Sequence, residues 1–158
     1  MIESDRDLFV RTLRELLTIE YELERRLSEL ADASTDEELE SHFMGHAETT
    51  TEQVGRLETV FDGLEDADFE PRESEVLEAL LTDHDELVAD VPDPNLADRR
   101  TTETGRAIER LELTKLETLL VLSRRLDLPT EVVEPLERTR TEAETGLERL
   151  QESAGLTV

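Results

Sequence analysis

The stretch FVRTLRELLTIEYELERRLSEL, residues 9–30, decides the fold. Stepped at four and three, it reads Phe9, Leu13, Leu16, Glu20, Leu23, Leu27 and Leu30. A seam of that period turns one helix face toward the interior of a bundle. Every position on it is apolar except the central one, a glutamate. A buried carboxylate loses its hydration and needs a metal, a cation or a proton as partner. The identity of Glu20's partner is therefore the functional question.

The same spacing recurs along the chain. The first helix is predicted over residues 5–33, starting at Ser4 or Asp5 and ending in the turn DASTD, 32–36, where Ser34 or Thr35 caps the next helix. The second, 36–64, carries Leu39, Phe43, His46, Thr50, Gln53, Leu57, Val60 and Leu64 on its seam, apolar at both ends and polar in the middle. A short turn makes the two helices antiparallel neighbours, so their polar middles should meet. Residues 65–95 read as a long crossover with one short helix, 74–88, whose apolar side holds Val76, Leu77, Leu80, Leu81 and Leu87. His84, between Asp83 and Asp85, reads as solvated, and Pro92 and Pro94 break the chain. A third long helix, 96–126, places Glu112 near the centre of its apolar arc, Glu109 inside it and Lys115 near one edge. The fourth, 130–153, has the seam Val133, Leu136, Arg140, Ala143, Leu147 and Leu150, with Pro135 in about its first turn. The expected fold class is all-α: a single domain over 1–158, an antiparallel four-helix bundle with one long connection, as in ferritin-like topologies.

Composition narrows the function classes. With 158 residues the chain can bury a sizeable core, and the absence of cysteine excludes disulfides, thiolate metal sites and thiol catalysis. Net charge is -25, from 42 acidic and 17 basic residues, and Lys115 is the one lysine. Self-repulsion of that size is screened by high salt, so the composition fits a salt-rich, halophilic cytoplasm. It argues against nucleic acid and anionic membrane surfaces as partners. No apolar run approaches a membrane span, and the acidic start MIESDRDLF lacks a signal peptide's pattern, so a cytoplasmic location is expected.

At mid-height the predicted interior collects Glu20, His46, Thr50, Gln53, Glu109, Glu112, Lys115, Thr139 and Arg140. Di-metal carboxylate bundles use Glu from two helices and Glu-x-x-His from two others, with iron or manganese as the natural ions. No Glu-x-x-His lies in a seam here. Lys115 and Arg140 are candidates to neutralise Glu20 and Glu112 directly. Thr50 and Gln53 are expected to bond each other or Glu20.

The runs ELLTIEYELERRLSELA (15–31), HAETTTEQVGRLETVF (46–61), IERLELTKLETL (108–119) and VVEPLERTRTEAETGLERL (132–150) resemble the ferritin-like YciE/YciF stress-protein family. The resemblance implies a four-helix bundle, often dimeric, linked to stress responses and carrying a di-metal or ferroxidase-like site. By position, Glu20 matches the family's first-helix Glu, His46 and Gln53 its second-helix His and Gln or His, and Glu109 and Glu112 its third-helix Glu-x-x-Glu. Thr49 stands where many members have Glu or Gln, Arg110 where they have His, and Lys115 where they have a small residue. The family's acidic fourth-helix run is here Arg138-Thr139-Arg140, with Glu144 at its later Asp.

Two functions follow. The preferred one is a stress-associated, homodimeric protein that is not an enzyme. It takes no cofactor, and its former metal layer is closed by an ion-pair network of Glu20, Glu112, Lys115 and Arg140. The alternative keeps an iron or manganese site built from Glu20, His46, Gln53, Glu109 and Glu112, with weak ferroxidase or oxidase activity. The first is preferred because Arg140 and a dication would compete for the same carboxylates.

Overall fold

A computed structural model describes residues 1–64 and 74–156, so the part of the crossover at 65–73 lies outside the described residues. Every regular element among the described residues is helical: α1 (Asp5–Ala33), α2 (Glu37–Asp62), α3 (Glu75–Ala89), α4 (Pro94–Arg125) and α5 (Thr130–Ser153). None is long and apolar enough to cross a membrane.

Cross-helix pairs fix the topology. Asp5 near the start of α1 meets Arg125 at the end of α4, and Thr35 just after α1 meets Asp98 near the start of α4. Those two helices are therefore antiparallel. On the far side Gln53 and Arg56 of α2 reach Glu142 and Thr139 of α5, again antiparallel. The consecutive pairs α1–α2 and α4–α5 turn back through short connections, so α2 and α4 run in the same direction. That is the four-helix bundle with a long crossover which the seam spacings predict.

Local chemistry sets the helix ends. Ser4 caps α1 by accepting from Asp7 N, as expected, whereas α2 is capped by Asp36, which accepts from Leu39 N. Ser34 and Thr35, predicted for that task, are otherwise engaged. The Ser34 hydroxyl donates to Leu30 O, and Thr35 donates to Asp98 through both its N–H and its hydroxyl. Pro94, read as a chain break, is the first residue of α4, where the missing N–H is not needed. Pro135 lies deeper inside α5 than a first-turn proline.

The short helix α3 packs on α4 and against α1 through Leu77 and Leu81. Its buried stripe continues to His84, 1% exposed, which corrects the solvated reading; Val76 and Leu87 are exposed instead. His84 Nε2 lies 2.8 Å from Thr101 Oγ1 of α4 and Nδ1 lies 3.0 Å from Asp85, so both ring nitrogens have polar partners. Arg26 of α1 donates to Glu78 of α3 at 2.7 Å, and Ser74 N donates to Glu22, tying the crossover to the first helix.

Two apolar clusters fill the bundle. One holds Phe9, Leu13, Leu16, Leu57, Leu116, Leu120 and Leu136, the other Leu23, Leu27, Phe43, Leu81, Ile108 and Leu150. Along α1 the seam passes from the first cluster to the second at Glu20, with Leu16 on one side and Leu23 on the other. Between the clusters lies a layer of carboxylates and imidazole.

Candidate metal centre

Three helices build the layer. Glu20 of α1 and Glu112 of α4 are both fully buried, at 0% exposure, and Glu109, one turn earlier on α4, is 2% exposed. The polar gap in the α2 seam supplies His46. Its ring stands between the two α4 carboxylates, with Nδ1 3.3 Å from Glu109 Oε1 and Nε2 3.3 Å from Glu112 Oε1. The seam reading thus brings together four of its candidate residues.

Other predicted partners are elsewhere. Lys115 Nζ extends to Glu15 at 2.9 Å, and Arg140 Nε lies 3.4 Å from Glu144, one turn along its own helix. The expected network of Glu20, Glu112, Lys115 and Arg140 is therefore not formed. The reason is phase: the buried arc of α5 runs through Leu136, Thr139, Ala143 and Leu150, which leaves Arg140 at its edge with its side chain 34% exposed. Thr50 donates to His46 O rather than to Gln53, and Gln53 Nε2 donates to Glu142 at 3.0 Å.

Two residues absent from the sequence reading adjoin the layer. Glu142 of α5 accepts from Gln53 and, at 2.6 Å, from Arg56, which also donates to Thr139. Its charge acts on Glu20, so α5 brings a carboxylate near the layer. His42 lies one turn before His46, its Nε2 3.9 Å from Glu109 Oε1. The i, i+4 spacing in HFMGH was a signal for it in the sequence.

The electrostatics follow chiefly from burial. Desolvation, then the charge of Glu112, push Glu20 well above the ordinary carboxylate range. Desolvation, then the charge of Glu109, lift Glu112 to about 8. Glu109 rises to about 7, chiefly from desolvation, with His46 opposing the rise. Burial thus favours the neutral form of both Glu20 and Glu112. Burial, His46 and Arg149 hold His42 down at about 4, so at neutral pH it is an uncharged imidazole, the form that ligates metals.

Both oxygens of Glu20, both of Glu112 and Oε2 of Glu109 are buried without a hydrogen-bond donor among the described residues. Native proteins satisfy the great majority of such atoms. The unpaired oxygens of Glu20 and Glu112, with Glu109 and His46 beside them, form an oxygen-rich donor set suited to iron(II) or manganese(II). The residues present therefore fit a divalent ion. Gln53 reaches the rim of the layer with Oε1 unsatisfied, while its amide nitrogen is committed to Glu142.

A groove of about 410 Å³ between α2 and α5 leads to this layer. His42, His46 and Glu109 line it, together with small residues (Gly45, Thr49, Ala143 and Gly146) that leave it open.

A family profile described as "Domain of unknown function (DUF892)" matches residues 4–158. Protein YciF of Escherichia coli (strain K12) is 24% identical over 120 residues, which cover 76% of this chain and 72% of that protein. The crystal structure of the E. coli stress protein YciF superposes with a TM-score of 0.89 at 22% identity, covering 97% of this chain and 96% of that one. YcfI from Rhodopseudomonas palustris gives 0.88 at 22% identity, covering 95% and 94%. These superpositions establish a shared fold.

Proposed function

This chain belongs to the YciE/YciF family, described as DUF892, and from that premise we propose that it is a stress-associated, ferritin-like metal-binding protein. Glu20 and Glu112 would hold a divalent ion, iron or manganese, with Glu109 and His46 beside them and Glu142 and Gln53 at the edge of the site. One observation carries the reading: the carboxyl oxygens of Glu20 and Glu112 lie fully buried, and neither Lys115 nor Arg140 reaches them. The stress association follows the description of the E. coli YciF structure as that of a stress protein, and a homodimer is the assembly proposed with it.

When bound, such an ion supplies Lewis acidity and, for iron or manganese, one-electron chemistry. The chain's own residues do the rest. Glu20 and Glu112, kept neutral by burial, would hold the ion once deprotonated. His46 orients between Glu109 and Glu112. The leucines above and below the layer exclude water from it. Glu142, held by Arg56 and Gln53, keeps a further carboxylate beside the site.

A second reading has one observation in its favour. Burial that keeps Glu20 and Glu112 neutral is a self-consistent arrangement without any ion, and it corresponds to a metal-free structural protein.

Titration separates the two. Protein stripped with a chelator and held in high salt is titrated anaerobically with iron(II) and with manganese(II), followed by calorimetry and thermal unfolding. Stoichiometric binding with a raised unfolding midpoint is expected. Both should be lost in a Glu20→Gln/Glu112→Gln variant that itself remains folded. Absence of binding by either ion leaves the metal-free protein as the answer.

A further inference from the structure

We infer that His42, His46 and Glu109 form a second, groove-facing cation site that takes a divalent transition-metal ion of the zinc, cobalt(II) or iron(II) class. The inference shares His46 and Glu109 with the layer proposed above and rests on that reading only to this extent.

His42 and His46 stand one turn apart on α2, with ring centroids 6.1 Å apart, and both turn toward α4. One ligand atom from each of His42, His46 and Glu109 lies within 4.8 Å of the others. Metal–nitrogen and metal–oxygen bonds are about 2.0–2.2 Å long, so two ligands on one ion stand up to roughly 4.2 Å apart. Small side-chain rotations close the difference. Two imidazoles on successive turns also restrict each other's orientation, because a helix holds their Cα positions rigidly.

An independent observation points to a ligand. Glu109 Oε2 is buried without a partner, on a side chain only 2% exposed, and the Nε2 atom of His42 is likewise buried and unpartnered. Both belong to residues on the wall of the 410 Å³ groove, which leaves room for solvent or a small ligand to complete the coordination. Two imidazoles and one carboxylate with open positions suit iron(II) and zinc rather than magnesium or calcium. The donor set thus differs from that of the Glu20–Glu112 pair, which offers oxygen alone. Glu48 and Glu142 also line the groove, and a net charge of -25 enriches cations at its mouth.

The difference in donors makes the two sites separable. The full chain, stripped of metal, is titrated with zinc(II) in competition with a chromophoric chelator, with cobalt(II) followed by visible absorption, and with manganese(II) by calorimetry. His42→Ala should weaken zinc(II) and cobalt(II) at least about tenfold and change the cobalt absorption, leaving manganese(II) unchanged. Glu20→Gln/Glu112→Gln should do the reverse, losing manganese(II) and keeping zinc(II). Circular dichroism checks folding, and His42→Gln replaces His42→Ala should the smaller side chain unfold the protein. Zinc(II) affinity unchanged in the His42 variants overturns the inference, as does failure of the wild type to bind zinc(II) or cobalt(II). Zinc(II) lost equally in both variant sets means one site and also overturns it. A wild type that binds zinc(II) through His42 but no manganese(II) or iron(II) at the inner carboxylates upholds this site and removes the earlier reading.

Discussion

Gly146 of α5 faces Glu109 of α4 so closely that a Cβ on it would stand 2.5 Å from the carboxylate Oε1. The glycine therefore makes the space in which Glu109 sits between the two helices. The obstructing atom is the end of a flexible side chain, so a methyl group there would displace the carboxylate rather than the backbone. Gly146→Ala should change folding stability by no more than about 1 kcal/mol, because relief of the helical glycine penalty offsets the contact. Zinc(II) and manganese(II) affinities should both fall. Gly55→Ala is the control: its Cβ would meet nothing within 4 Å. It should stabilise the protein without touching metal binding. Titration calorimetry and urea unfolding of the two variants provide the check, and equal metal affinities would refute the role given to Gly146.

Arg140 and Lys115 give the opposite kind of prediction. Each sits in a half-exposed ion pair, Arg140 with Glu144 and Lys115 with Glu15. Removal of one partner of such a pair costs about 1 kcal/mol or less, against about 3–5 kcal/mol for a buried pair. Arg140→Ala should therefore leave the unfolding midpoint in high salt almost unchanged, and so should Lys115→Ala. A loss of several kcal/mol for Arg140→Ala would restore the buried ion-pair network.

These residues mark where the sequence is legible and where it is not. Periodicity identifies the buried carboxylates Glu20, Glu109 and Glu112 and the interior histidine His46, because a helix face repeats every three to four residues whatever packs against it. Phase is harder. Leu136, Arg140 and Ala143 satisfy the spacing as well as Leu136, Thr139 and Ala143 do, and only the positions of α2 and α4 select the second set. Glu142 and His42 flank their seams and meet the layer through neighbours that no single helix reveals. His84 was legible in principle, since Leu77, Leu81 and His84 share one stripe, but the acidic residues on either side of it argued for solvent.

Asp98 ties α4 to the turn between α1 and α2. Its carboxylate accepts from Thr35 N at 2.9 Å, Thr35 Oγ1 at 2.6 Å and Asp36 N at 2.9 Å. It is only 9% exposed, so these donors have little water to replace it. Asp98→Ala should destabilise by about 2–4 kcal/mol, because hydrogen bonds to a charged group are individually strong and truncation orphans the donors. Asp98→Asn should fall between, keeping one acceptor oxygen. Urea unfolding in high salt measures both, and an Asn variant worse than Ala would contradict the hydrogen-bond account.

The buried carboxyls make stability and metal binding respond to pH in opposite directions. Burial raises Glu109 to about 7, Glu112 to about 8 and Glu20 well above its ordinary value of 4.5. Below about pH 4.5 these groups are protonated in the folded and unfolded chains alike, and their contribution to stability is fully present. Above it the unfolded chain releases protons that the folded chain keeps. Stability of the metal-free protein is then lost as pH rises through about 7 and 8. Metal ions bind the deprotonated groups, so apparent affinity should increase over the same interval and binding should release protons. Thermal midpoints of chelator-treated protein, taken across this range in high salt to screen the surface charge, should fall with pH. Glu112→Gln should flatten the decline and stabilise the metal-free form near pH 8, while weakening manganese(II) binding. Calorimetry in buffers of different ionisation enthalpy counts the released protons, and a count of zero near pH 7 would contradict neutral carboxyls at the centre of the bundle.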